Sequence, residues 1–153
     1  MRIITHMVVF LAATPSTLTW RHLVLASLHS EKVSDTMERF LNLFPPDQVG
    51  IGLHLLSHQL IGALCQKLAQ KVDGRLMLLA EHMENGGAVR DWIARRDVDK
   101  IQDYLMRGSD PNSTNFLRSI IGAYEAGIID EPTAIMATGN ETEFRRAARG
   151  IST

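Results

Sequence analysis

His22-Leu23-Val24-Leu25-Ala26-Ser27-Leu28-His29-Ser30 is the stretch on which the reading of this chain turns. Apolar residues run between two histidines and stop at a polar His-Ser pair. The pattern predicts a buried strand over 22–29 that delivers its last side chains to a site. Immediately downstream, Val33, Met37, Phe40, Leu41 and Phe44 recur at helical spacing and Pro45-Pro46 closes the segment, so a helix is expected over 32–43.

Working outward, Val49, Leu53, Leu56, Leu60, Leu64 and Leu68 predict a second helix over 46–70. Gly50, Gly52 and Gly62 weaken it, each by roughly 1 kcal/mol relative to alanine. Asp73-Gly74 is a strong turn signal, and a short buried strand is expected over 76–80. Beyond Gly86-Gly87 the pattern is helical, with segments expected over 88–95, 97–106, 114–125, 131–137 and 141–149. Asn140 followed by Glu143 reads as a capping box opening the last of them. There are no internal repeats and no low-complexity tracts. The fold class this implies is α/β: a core fragment of about two strands over 21–85, carrying a mostly α-helical bundle over 86–153.

At 153 residues, one domain with a core of ordinary size is expected. Hydrophobic residues at 45% and charged residues at 22% exclude a disordered chain. A formal net charge of −1 gives no general basic field for nucleic acid. Cys65 is the single cysteine, so no intramolecular disulfide forms, which suits a reducing compartment. Residues 7–13, after Arg2, faintly imitate a signal peptide. They are too short to span a bilayer as a helix, and His6 adjoins them. The reading favoured is a strand before a Pro15-Ser16-Thr17 turn.

The histidine-flanked stretch resembles the histidine box of the type II and type IV secretion and type IV pilus motor ATPases. The resemblance continues through Asp35 to Pro46, where the family has an amphipathic helix running into a Phe-Pro stop, and through Ser57 to Leu68. Gly74-Arg75 with Glu81 after an apolar strand follows. Ala88-Val89-Arg90-Asp91-Trp92-Ile93-Ala94-Arg95 resembles the family's signature helix, and Ala126-Gly127-Ile128-Ile129 and a helix near Ala134 complete the order. Residues 1–20 match nothing in the family and form an unmatched leader, such as a truncated or frame-shifted gene would leave.

A phosphate-binding P-loop needs a Gly-rich turn feeding Lys and Ser/Thr, so that backbone N–H groups, an ammonium and a hydroxyl meet the phosphates and magnesium. No Gly-Lys pair occurs in the sequence, and no convincing acidic strand end precedes His22. In the family both elements come before the histidine box. The resemblance therefore implies the C-terminal fragment of a RecA-like P-loop NTPase core, with no catalytic residue of its own and no hydrolysis by this polypeptide alone. ATP and magnesium belong to the intact family, and neither is expected to bind tightly to this fragment.

Within that resemblance His22 and His29 are the nucleotide-proximal residues, with His29 at the strand's C-terminal end nearer the phosphates. Arg90 and Arg95 lie in the helix that converts ATP turnover into movement, although Asp91 and Trp92 replace the commoner amide and leucine. Asp91 and Arg95 also suit an i,i+4 ion pair on a solvated face. Arg75 and Glu81 bracket a structural strand, with one residue more between them than the family has. The alternative for Glu81, an acidic strand end holding magnesium through water, requires an upstream phosphate loop. His54 and His58 are four apart, a spacing that can share zinc, but Cys65 lies about 10 Å further along the expected helix, so no metal site is assigned.

The partners implied are a homo-hexamer or full-length motor subunits and the inner-membrane platform of a secretion or pilus machine, with no nucleic acid. The location implied is the cytoplasm, peripheral to the inner-membrane face. Three alternatives stand beside this reading: a short regulatory module docking on a complete motor, a non-functional gene fragment, and an unrelated helical metal-binding protein.

Overall fold

The strand and helix expected around the two histidines both form, as β2 (His22–Leu28) and α1 (Val33–Leu41), but β2 is an edge strand with Leu23 and Leu25 exposed rather than the buried strand expected. The computed structural model describes residues 5–13 and 22–150. The remaining strands are β1 (Thr5–Ala13), β3 (Leu60–Gln70) and β4 (Leu76–Glu84). The remaining helices are α2 (Val49–Gln59), α3 (Gly87–Ala94), α4 (Val98–Arg107), α5 (Phe116–Glu125), α6 (Glu131–Thr138) and α7 (Glu141–Ala148). The chain is thus α/β, a sheet followed by a helical C-terminal region.

The sheet runs β2-β1-β3-β4 with every neighbouring pair antiparallel. Leu28 lies opposite Met7, Met7 opposite Cys65, and Cys65 opposite Glu81, which makes one row across all four strands. Residues of one row share a face, and successive residues along a strand alternate. One face therefore carries Ala63, Cys65, Ala69, Leu79, Glu81 and Met83, all buried. α1, α5 and α6 pack against β3 and β4 and so cover it. The other face presents Leu23, Leu25, Leu76 and Leu78, which are 61%, 60%, 62% and 49% exposed.

Two expectations are corrected here. The helix expected over 46–70 forms only in its first part, as a 3-10 turn over Pro46–Gln48 followed by α2, and the rest is β3. Leucines at 56, 60, 64 and 68 recur every four residues, which suits a helix and equally the same side of a strand, since four is a multiple of two. Tertiary partners decide between them. The Asn85 side-chain amide donates to the carbonyls of Leu56, Ser57 and Leu60 at 3.2, 3.1 and 2.8 Å, stopping the helix where α2 ends. A Cβ on Gly62 would stand 2.8 Å from the Met83 carbonyl oxygen, so this glycine marks a close approach of β3 and β4. The sheet also has four strands rather than about two. Within 21–85 the addition is β3; the fourth strand is β1, the strand favoured for the leader, which lies between β2 and β3. The Pro15-Ser16-Thr17 turn lies outside the described residues.

The Asp73-Gly74 signal does close a hairpin, between β3 and β4. The Lys71 N–H donates to Arg75 O at 2.7 Å, and Gly74 takes φ +82°, open to glycine at no steric cost. In the helical region Asn115, Asp130 and Asn140 cap α5, α6 and α7 by accepting the N–H groups of Arg118, Thr133 and Glu143. Ile101 and Leu105 of α4, Ile120 of α5 and Phe144 of α7 lead the buried apolar set there. Edge-on ring pairs, Trp92 with Tyr104 at 5.6 Å and Tyr124 with Phe144 at 5.2 Å, join α3 to α4 and α5 to α7.

Candidate functional site

β2 stops at Leu28, and residues 29–32 carry the chain onto α1. His29 is exposed at that point, whereas Ser30 beside it is 2% exposed. The turn is held from below by polar groups. Ser30 and Thr36 share a hydroxyl–hydroxyl hydrogen bond, and Thr36 Oγ1 donates to Lys32 O at 2.9 Å. The Cys65 thiol lies with these two hydroxyls, and burial pushes it up to about 12, with the Glu81 charge adding to the shift. Lys32, the N-cap residue of α1, provides no side-chain cap. That role falls to Glu81, whose Oε1 accepts the Val33 N–H at 2.8 Å.

Glu81 is 2% exposed. Burial raises its pKa, while hydrogen bonds from the Val33 and Phe116 N–H groups and the charges of Lys32 and Lys67 pull the other way. Lys67 itself holds its ammonium 4.5 Å from the centroid of the Phe116 ring, a cation–π contact. Lys32, Lys67, Glu81, Gln102, Asn115 and Phe116 line a cavity of about 100 Å³ between sheet and helices. A larger open groove of about 780 Å³ lies elsewhere, between α4, α5 and α7, with Arg107, Arg118 and Arg146 beside Glu125 and Glu143.

The sequence-derived residues fall in three places. His22 begins β2 opposite Ala13, and its side chain lies outside the described residues. His22 opens that strand and His29 follows its last residue, about 23 Å away at 3.3 Å per residue, so one phosphate group cannot meet both. Arg90 is exposed in the middle of α3, and Arg95 is exposed at its C-cap. The contact between Asp91 and Arg95 is the backbone bond from Arg95 N–H to Asp91 O at 3.1 Å, and the ion pair of this region belongs to Arg96. Arg75 stays on the hairpin tip, where it grips Asp73 through Nη2 at 2.7 Å, and it is about 20 Å along β4 from Glu81. Together with Lys71, that contact draws Asp73 down to about 2.

His54 and His58 are exposed on α2 with ring centroids 4.4 Å apart, edge to face. Cys65 is in β3 rather than on their helix, so the helical spacing expected between it and the histidines does not apply. Among the described residues no group of three or more His, Cys, Asp or Glu could hold a metal ion. Among them, too, no helix is long and apolar enough to cross a membrane.

Sequence reasoning missed Arg96. It closes α3 in the left-handed region at φ +58°, while the next N–H, of Asp97, reaches back to Trp92 O at 2.8 Å. From there its guanidinium takes both carboxylate oxygens of Glu38 on α1, at 3.2 and 2.7 Å, tying the helix after the histidine stretch to the end of α3. The charge-assisted pair lowers the Glu38 pKa. Three arginines and two aspartates crowd 90–97, and nothing in their spacing singles out this arginine.

The described residues form an α/β architecture, an antiparallel sheet whose β2 runs through a polar turn into α1, followed by a helical C-terminal region. No family model matches the chain. Among curated proteins it is 25% identical over 125 residues to the type IV pilus ATPase PilU of Pseudomonas aeruginosa, covering 81% of this chain and 33% of that one. It is 24% identical over 113 residues to the pilus retraction ATPase PilT of the same organism, covering 74% and 33%. Among solved structures, the pilus retraction motor PilT with bound ADP matches at a TM-score of 0.67 and 24% identity, over 78% of this chain and 33% of that one. The Legionella pneumophila ATPase DotB matches at 0.63 and 23%, over 73% and 30%. Sequence and fold together support the type II/type IV secretion and pilus motor ATPase family as the one to which the chain is related. It spans about a third of the length of the curated relatives it matches.

Proposed function

We propose that these residues are the C-terminal portion of a hexameric secretion or pilus motor ATPase. In an intact motor this portion packs on the nucleotide domain and passes ATP-driven movement round the ring. The observation that supports the reading best is that one continuous match to pilus motors, in sequence and in fold, covers about three-quarters of the chain. His29, exposed where β2 ends, takes the nucleotide-proximal role, and His22 sits at the far end of the same strand. Arg90 and Arg95, exposed on α3, face a neighbouring subunit and couple movement to it. The proposed setting is the cytoplasm, at the inner-membrane platform of a secretion or pilus machine.

The residues present do not by themselves fit ATP and magnesium. The 153 residues contain no Gly-Lys pair from which a phosphate loop could be built. The test compares two polypeptides. The 153 residues alone are expected to turn over no ATP. Joined behind the P-loop-bearing portion of a PilT-type motor, they are expected to restore hydrolysis, and His29→Ala in that chimera to lower it about tenfold or more. Turnover by the 153 residues alone overturns the proposal.

One observation favours a second reading, a regulatory module that docks on a complete motor. The outer sheet face, with Leu23, Leu25, Leu76 and Leu78 exposed, has the character of an interface. Sedimentation of the chain with a full-length pilus motor separates the two readings, since a docking module co-sediments with the motor without being joined to it.

A further inference from the structure

The two edges of the sheet are finished differently. Along β4 the outward N–H groups of Ala80, His82 and Glu84 are taken by Ser119 Oγ at 3.2 Å, Thr114 O at 2.9 Å and Ser113 Oγ at 3.3 Å. The Thr114 N–H returns a bond to His82 O at 2.9 Å, so chain from the helical region closes this edge over 80–84. Along β2, at the other end of the sheet, β1 is the sole strand partner among the described residues. Leu23, Val24 and Leu25 are exposed in succession, and since they alternate between faces, neither face covers this edge. Bare edges are ordinarily blunted by a lysine, a proline, a bulge or an inward charge, because they template further pairing. His22–Leu28 has no Asp, Glu, Lys, Arg or Pro, and its register with β1 is unbroken.

We propose that β2 is an association edge whose occupant is β2 of a second copy of this chain, paired antiparallel across a twofold axis at Leu25. That register uses the whole strand: His22 lies opposite Leu28, Leu23 opposite Ser27 and Val24 opposite Ala26 of the other copy. Leu25 meets Leu25 on the axis, with the Leu23 of each copy diagonal to it, so four exposed leucines gather on the outer face and no like charges oppose. The two four-stranded sheets join into one that ends on β4 at both sides, where residues 113–119 stop further pairing. The assembly therefore closes as a dimer instead of growing, which a second copy achieves because β2 is the open edge of each. The pairing goes beyond the motor reading and does not depend on it.

Sedimentation equilibrium of the 153-residue chain tests it. One strand pair and four leucines make a small interface, so a dimer with a Kd of roughly 10–100 μM is expected. Leu25→Lys sets two ammoniums against each other on the axis and is expected to weaken the dimer about tenfold or more. Ser27→Lys, at a position already polar and exposed, puts a charge on the same edge without risk to the fold and is expected to weaken it as well. Leu78→Lys, on the outer face but away from β2, is expected to leave it unchanged. Leu25→Cys is expected to link the two copies on exposure to oxidised glutathione, with the buried Cys65 taking no part. A chain that stays monomeric up to about 1 mM overturns the proposal and leaves the edge to a strand of another protein. A dimer that survives both lysines on β2, or is lost with Leu78→Lys, overturns it too, by moving the contact to the sheet faces. Association is read without nucleotide, so failure of the motor reading leaves the outcome unchanged.

Discussion

On the inner face of the sheet Ala63, Cys65, Ala69, Leu79 and Met83 lie under helices, whereas on the outer face Leu23, Leu25, Leu76 and Leu78 stand roughly half or more in solvent. Both sets are apolar, and on β4 they alternate residue by residue. Which set is buried is decided by small residues: alanines and a cysteine on β3 let α1 and α6 approach, and Glu81 supplies an acceptor for the helix ends that arrive. The outer face carries leucines as a core face does, yet Leu23, Leu25, Leu76 and Leu78 stay exposed. Hydrophobicity alone therefore does not tell a covered face from an open one; residue size and a polar anchor do.

The contrast is sharpest at neighbouring residues. Leu79→Ala, at a position 0% exposed, is expected to cost about 3 kcal/mol in urea denaturation, while Leu78→Ala beside it stays within about 0.5 kcal/mol. Equal costs would mean that the outer face is also buried in solution. Next in size is Gly62→Ala. The added methyl meets the Met83 carbonyl on the backbone of β4, for an expected loss of about 2 kcal/mol by the same measurement. A neutral result would show that β3 and β4 separate freely there.

A pH series isolates the polar anchor. Burial raises the folded-state pKa of Glu81 above its unfolded value. Its contribution is therefore fully present below the unfolded value, near 4.5, and is lost as pH rises through the raised one. Relative to Glu81→Gln, the native chain should lose stability across that window and then level off. The groups with lowered pKa, such as Glu38 and Asp73, act in the opposite direction but are common to both proteins and cancel. A flat difference between the two curves would remove the buried carboxylate from the account. The smallest effect expected is that of Arg96→Ala. The pair with Glu38 is 45% and 34% exposed, so its loss should lower stability only slightly, and by less still in 1 M salt.

Much of the helical region was legible because its signals are local. Asn115, Asp130 and Asn140 cap within three residues of themselves, and α4 to α7 begin and end within a few residues of where periodicity and caps put them. β2, β4 and the Asp73-Gly74 turn were legible for the same reason. β3 was not, because its leucine spacing serves both periods and the residue that stops α2, Asn85, acts from beyond the end of β4. Of the candidate site, the place of His29 at the end of a strand was legible in sequence. The cap that Glu81 puts on α1 was not, since its donor is the backbone N–H of Val33, 48 residues before it, and a backbone N–H carries no letter in the sequence.

Cys65 has a practical consequence. Its thiol is wholly covered and held protonated by burial, and only the thiolate attacks an alkylating reagent. The native cysteine is thus silent while the fold is closed and reacts only when the sheet's inner face opens. Its modification rate is a clock for that opening. A second cysteine placed on the exposed surface can meanwhile carry a fluorophore without the native one being removed.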